Sequence, residues 1–144
     1  MRIHRLTMSA VGPFPGTEVI DFDSFAASGR FLLSGPTGSG KTTIIDAIVF
    51  ALYGEVADSA DSSKERIRSR HAAAGQESVV ELVFSTSAGL FKVRRTPEYE
   101  RPKKRGTGTT TQNATAHLWR LTEPDEPFWK GVPNDAVVER YHSW

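Results

Sequence analysis

Eight residues, Gly35-Pro36-Thr37-Gly38-Ser39-Gly40-Lys41-Thr42, constrain this chain more than any other stretch. They match the spacing G-x-x-x-x-G-K-[ST] at every fixed position. That spacing asks for a strand to deliver the chain, a loop to wrap a phosphate and a helix to lead the chain away. Gly35, Gly38 and Gly40 let backbone N–H groups turn inward without side-chain clashes. A helix starting near Lys41 directs its positive end at the same point. Lys41 is spaced to reach the β- and γ-phosphates of a nucleotide as a point charge, and Thr42 to set its hydroxyl on Mg²⁺. Thr43 offers a further hydroxyl near the α-phosphate. The candidate nucleotide contacts are therefore Gly35, Pro36, Thr37, Gly38, Ser39, Gly40, Lys41, Thr42 and Thr43. Lys41 and Thr42 are the candidate catalytic pair, Thr42 the candidate metal ligand, and ATP with Mg²⁺ the expected ligands. The competing reading is a glycine-rich turn that binds nothing, a match expected by chance in roughly fewer than one chain in a hundred.

The flanks meet the motif's demands. Arg30-Phe31-Leu32-Leu33-Ser34, between Gly29 and Gly35, is a short apolar run that predicts a buried strand. After Lys41, the residues Ile44, Ile45, Ile48, Val49 and Leu52 fall at helical spacing, and Gly54 marks a stop. Upstream, Arg2 to Met8 alternates polar and apolar, and Val11 to Gly16 holds two glycines and two prolines in six residues. Thr17 to Phe22 alternates again, which predicts a hairpin. Downstream, Glu77 to Ser85 and Leu90 to Thr96 read as a second hairpin about Ala88-Gly89, and Ala114 to Thr122 as a further strand. A short helix is expected over Ser63 to Arg70, within the polar stretch Ala57 to Gly75. A last helix is expected over Asp135 to His142, capped by Asn134. Residues 97–112 carry glycines, threonines and four cations, and predict a mobile basic loop. The chain stops at Trp144 just after that last helix pattern, as a cut inside a larger protein would.

The 144 residues suffice for one core. There is no cysteine, which excludes a disulfide framework and a thiolate metal site. No apolar run behind Arg2, His4 and Arg5 is long enough for a signal peptide, and the stretch Ile44 to Tyr53 is too short to span a bilayer. A cytoplasmic, membrane-free protein is expected. The net charge of +1 gives no overall attraction to nucleic acid, so any basic patch must be local.

P-loop enzymes usually hold Mg²⁺ partly through an acid that follows a second hydrophobic strand. No run of four apolar residues ending in Asp follows the loop, and no guanine-specific Asn-Lys-x-Asp occurs. The chain has the parts to grip phosphates but lacks those that activate water.

The residues around the loop narrow the reading. The opening strand Arg2 to Met8, Val11-Gly12-Pro13-Phe14, Ile20-Asp21-Phe22, the loop itself, Ile45-Asp46-Ala47-Ile48 and Ala51-Leu52-Tyr53-Gly54 follow one another in order. This series resembles the start of the SMC-like, ABC-type ATPases of DNA repair, and within them the SbcC type. Phe91 to Glu98 and Arg101-Pro102-Lys103-Lys104-Arg105-Gly106 extend the likeness. It covers most of the chain and is weakest from Pro124 on.

The resemblance implies a P-loop NTPase half-head of α/β class. Residues 1–144 would be the N-terminal lobe, a mixed sheet with antiparallel hairpins around the P-loop strand and helix, with a second antiparallel layer from Glu77 to Thr122. It implies as partners the C-terminal half of the same head, a second head joined through ATP, an SbcD-like nuclease, and double-stranded DNA ends near the nucleoid. It also implies that the glutamine loop, signature motif and Walker B acid lie elsewhere, since Gln76 and Gln112 do not sit in that loop's setting. The isolated segment is then expected to be inactive. Two other readings stay open: a small stand-alone kinase with a basic lid, and a non-catalytic interaction domain.

The family's substrate also gives a role to Arg94, Arg95, Arg101, Lys103, Lys104 and Arg105, six cations that could neutralise DNA phosphates. The competing reading is a solvated hairpin tip. Asp46 is expected in the first turn of the helix, complementing its dipole. His71 and His117 lack a second ligand at metal spacing. Trp119, Phe128 and Trp129 read as core or interface residues.

Overall fold

The computed structural model describes residues 1–25, 30–56, 67–103, 105–121 and 138–143. Strand β1 (Arg2–Val11) turns into β2 (Phe14–Asp21) and pairs with it antiparallel, Leu6 facing Ile20 and Met8 facing Glu18. The alternation in β1 is the cause. Leu6 and Met8 point into the core, 0% and 1% exposed, and a one-residue slip would turn both to water.

The register shifts between Ser9 and Val11, where Ala10 sits at φ +52°. A non-glycine residue there is strained. Two hydrogen bonds hold it, because the Ala10 carbonyl accepts from the Ser69 N–H at 2.8 Å and from the Ser78 hydroxyl at 2.9 Å. The resulting bulge carries Val11 into the core and aims the turn Gly12-Pro13 across the sheet.

The predicted second hairpin forms as β3 (Val79–Thr86) and β4 (Gly89–Thr96). β4 pairs with β7 (Thr115–Leu121), and β7 with β8 (Val138–Ser143). These join β1 and β2 in one six-stranded sheet of order β2-β1-β3-β4-β7-β8, every neighbour antiparallel. The expected mixed sheet with a separate second layer is thus corrected to one antiparallel sheet. Two hairpins supply the pairs β1–β2 and β3–β4, and the chain crosses from β2 over β1 to β3 through the connection that holds the helix after the glycine-rich loop.

Helix α1 (Lys41–Tyr53) lies on one face of that sheet. It buries Ala47, Ile48, Phe50 and Ala51 against Leu6, Met8, Val80, Leu82 and Val93. The anticipated stripe is only half right, since Ile45 is exposed and Ile44 and Leu52 pack at the rim. The two alanines let the helix approach the sheet closely, and they set the buried face. Asp46 falls outside the first turn, which holds no acid.

Three further expectations change. Arg30 to Ser34 forms no strand, and Leu32 is 89% exposed. An apolar run makes a buried strand only where a neighbour supplies hydrogen-bond partners, and no described strand pairs with it. Phe31 instead rests on Phe22, ring centroids 4.5 Å apart. The helix expected over Asp135 to His142 is a strand where it is described, with Leu118 opposite His142 and Leu121 opposite Val138. The open edge of β7 satisfies that backbone, and tertiary pairing overrides weak helical spacing. Asn134 lies outside the described residues, as do Gly29, Phe128, Trp129 and the first half, Ser63 to Arg66, of the short helix placed at Ser63 to Arg70; in the second half only Ile67 is helical, and Arg68 bridges to Val11. Lastly, the stretch 97–112 contains a two-stranded hairpin, β5 (Tyr99–Pro102) with β6 (Thr109–Gln112). The Lys103 N–H closes it on the Gly108 carbonyl at 3.1 Å.

Candidate nucleotide-binding site

The glycine-rich loop lies at the surface, between the unpaired run 30–34 and α1. Within it the Ser39 N–H meets the Pro36 carbonyl at 3.3 Å. Gly40 takes φ +88°, a left-handed value that a side chain would oppose, and its carbonyl accepts the first helical bond from Ile44 at 3.1 Å. The first-turn N–H groups of α1 have no partner inside the helix and point toward the loop.

Lys41 bends back over the loop. Its ammonium donates to the Gly35 and Pro36 carbonyls, both at 2.6 Å, and to Ser39 Oγ at 3.4 Å. A positive charge is thereby held in the loop's mouth, on neutral acceptors that an anionic oxygen would outcompete. Thr42 is exposed and Thr43 half-buried. The loop runs directly into the helix start, which carries Lys41 and Thr42.

The donor set fits a polyphosphate: backbone N–H groups at a helix start, one ammonium and a hydroxyl. Among the described residues no group of three or more His, Asp or Glu could hold a metal ion. Any Mg²⁺ would be held by Thr42 with the nucleotide's own phosphates and water.

The turn after β1 carries no phosphate-binding signal in its sequence, yet it presses on this site. A Cβ placed on Gly40 would lie 2.5 Å from Phe14 Cζ, and one on Gly12 would lie 2.5 Å from Thr43 Cγ2. Gly12-Pro13-Phe14 reads as a turn, but nothing in it says which loop the turn meets.

The six candidate DNA-contacting cations are not gathered on one surface. Arg94 pairs with Glu77 at 2.9 Å and with Glu81 at 3.2 Å. Arg95, one residue on, points to the opposite face of β4. There it donates to the Ala51 carbonyl at 2.8 Å and the Leu52 carbonyl at 3.3 Å, at the C-terminal end of α1. Burial there pushes its guanidinium below the usual arginine range. Arg101 donates to Gln112 Oε1 at 3.1 Å. Lys103 and Arg105 are exposed near the tip of the β5–β6 hairpin, and Lys104 lies outside the described residues.

Arg68 is a further residue that no sequence signal singles out. It donates to the Gln76 and Ala73 carbonyls and stands 4.1 Å over the Tyr99 ring. It so ties the hairpin to the segment 67–76, with a groove of about 840 Å³ between them.

Arg95→Met should therefore act on stability. It removes two charge-assisted bonds to carbonyls at the negative end of α1, and the expected loss is about 1–3 kcal/mol. Arg95→Lys keeps the charge without the fork and should recover part of that. Urea unfolding measures both, and an unchanged midpoint for Arg95→Met would refute the clamp.

The family model described as an AAA domain matches residues 5–126, and the chain belongs to that family. Within it, the sequence is of the SbcC type. It is 38% identical over 96% of its length to the SbcC subunit of the SbcCD nuclease of Vibrio cholerae. It is 39% identical over 78% of its length to that of Lactococcus lactis, and 40% over 67% to that of Treponema pallidum. The chain spans 14%, 10% and 9% of the length of these relatives. Among the described residues no helix is long and apolar enough to cross a membrane.

Proposed function

We propose that the chain binds ATP with Mg²⁺ through Gly35 to Thr43, as one wall of the ATPase head of an SbcC-like protein. The observation that carries this is Lys41, whose ammonium is held at the mouth of a glycine loop that opens on a helix start. When bound, the metal would neutralise charge on the phosphates. Lys41 exchanges its carbonyl acceptors for phosphate oxygens, the N–H groups of Thr42 and Thr43 orient them, and Thr42 offers its hydroxyl to the ion.

Among the described residues no carboxylate is a hydrogen-bond partner of Lys41 in the loop, and we assign hydrolysis to a head completed by the C-terminal half of the polypeptide and by a second head. The segment alone should bind without turnover. By its likeness to the SbcC subunits of SbcCD nucleases, the full-length protein would work with an SbcD-like nuclease on double-stranded DNA ends, in the cytoplasm at the nucleoid. Calorimetry of the chain with Mg-ATP, with Lys41→Ala as control, tests the binding step. Absence of heat from both would favour an interaction domain, and turnover by the chain alone would favour a kinase.

DNA contact falls to the β5–β6 hairpin in this reading, since Arg94 and Arg95 are engaged elsewhere. Neutralising Arg101, Lys103, Lys104 and Arg105 together should lower the slope of log K against log salt by about 3–4 for duplex DNA. An unchanged slope would remove the hairpin from the interface.

A further inference from the structure

The hairpin turn Gly12-Pro13-Phe14 is wedged between two parts of the molecule. Behind it, three hydrogen bonds fix its position. The Gly12 N–H donates to the Ile67 carbonyl at 2.9 Å and the Ser69 N–H to the Ala10 carbonyl at 2.8 Å. The Gln76 side-chain amide donates to the Pro15 carbonyl at 2.6 Å. In front, the turn bears on the phosphate loop at two points.

The Phe14 ring stands so close to Gly40 that a Cβ there would meet Cζ at 2.5 Å and Cε2 at 2.8 Å, with Pro13 Cγ at 3.4 Å. Gly12, at φ +52°, leaves the room that Thr43 occupies, since its own Cβ would meet Thr43 Cγ2 at 2.5 Å and Oγ1 at 2.9 Å. Phe14 is itself anchored, packed against the core with its backbone paired to Val11.

We infer that Phe14 is a positioning residue for the phosphate loop. Its ring braces Gly40 and thereby sets the angle at which loop passes into helix. This rests on the nucleotide-binding reading above and extends it to a residue outside the motif. The physical reason lies in Gly40. A glycine at φ +88° has no side chain to hold it, and its backbone is free to move unless a neighbour confines it. The first N–H groups of α1 aim at a phosphate only while that junction stays put. A rigid aromatic edge on one side and the Thr43–Gly12 contact on the other confine it. The brace acts on the loop, so it should affect any polyphosphate alike, whether or not it carries a base.

The test uses the full-length protein and compares Mg-ATP with Mg-tripolyphosphate by calorimetry. Phe14→Ala should weaken both by about tenfold, because small misplacements of binding groups are costly. Phe14→Leu, which restores apolar bulk, should recover most of the loss. Gln76→Ala, which leaves the core and the loop untouched and frees the Pro15 carbonyl, should weaken both by about threefold. It keeps the inference testable should Phe14→Ala fold poorly. Loss of ATP binding with tripolyphosphate unchanged would overturn the inference, since Phe14 would then touch ribose or base. Unchanged affinity for both ligands in both alanine variants would overturn it too. A wild-type protein that binds neither ligand would instead sink the nucleotide reading, and this inference with it.

Discussion

Lys41→Ala should weaken Mg-ATP binding by about 10²–10³-fold. The figure follows from replacing two charge-assisted hydrogen bonds to phosphate, each contributing about 1.5–3 kcal/mol, with none. The folded protein already spends this ammonium on the Gly35 and Pro36 carbonyls at 2.6 Å, so the net effect is that of an exchange and falls toward the low end of the sum. Those contacts are exposed, and their loss should shift unfolding by less than about 1 kcal/mol. Affinity and stability therefore separate in this variant. Lys41→Arg should not rescue it, because a planar fork cannot replace a compact ammonium in a loop this tight. Calorimetry on variants matched for urea midpoint measures the effect. A dissociation constant within twofold of wild type would show that the loop is a turn and nothing more.

The second large effect is on the sheet. Leu82→Ala should cost about 2–5 kcal/mol. Leu82 is 0% exposed in β3, opposite Leu6 on one side and Val93 on the other, under α1. Its neighbours are held by two hairpins and a helix, and they cannot collapse into the space it leaves. For a chain of this size that loss lowers the thermal midpoint by about 2–4 °C per kcal/mol. Val19→Ala is the matched control. Val19 is 50% exposed on the edge strand β2, and its truncation should stay within about 0.5 kcal/mol. Equal midpoints for the two variants would mean that the sheet face under α1 is not the core.

Much of the fold was legible because its signals are local. Period-two alternation placed β1, β2, β3, β4 and β7 within a few residues. Helical spacing and Gly54 placed α1 and its end, where the Gly54 N–H donates to the Phe50 carbonyl at 2.8 Å. The failures share a cause. Arg30 to Ser34 has the composition of a buried strand, but burial depends on what lies beside it. The segment near His142 has a helical rhythm, but the open edge of β7 offered stronger partners. Neither fact is written within either segment.

The site divides in the same way. Gly35 to Thr42 stands out in the sequence as a candidate because phosphate chemistry would dictate residue type and spacing within one short loop. The separation of Arg94 from Arg95 was half readable. Adjacent strand residues face opposite ways, but only the packed structure shows Glu77 and Glu81 on one side and the end of α1 on the other.

By itself, the sequence determined that a glycine-rich loop follows a hairpin and opens a helix, since each of those signals acts over a few residues. The tertiary structure decided that the hairpin's turn, with Phe14 against Gly40, is pressed onto that loop. It did so through long-range hydrogen bonds such as Gln76 to Pro15, 61 residues apart in the chain. Contacts of that kind arise from how finished elements pack, and no local rule of spacing encodes them.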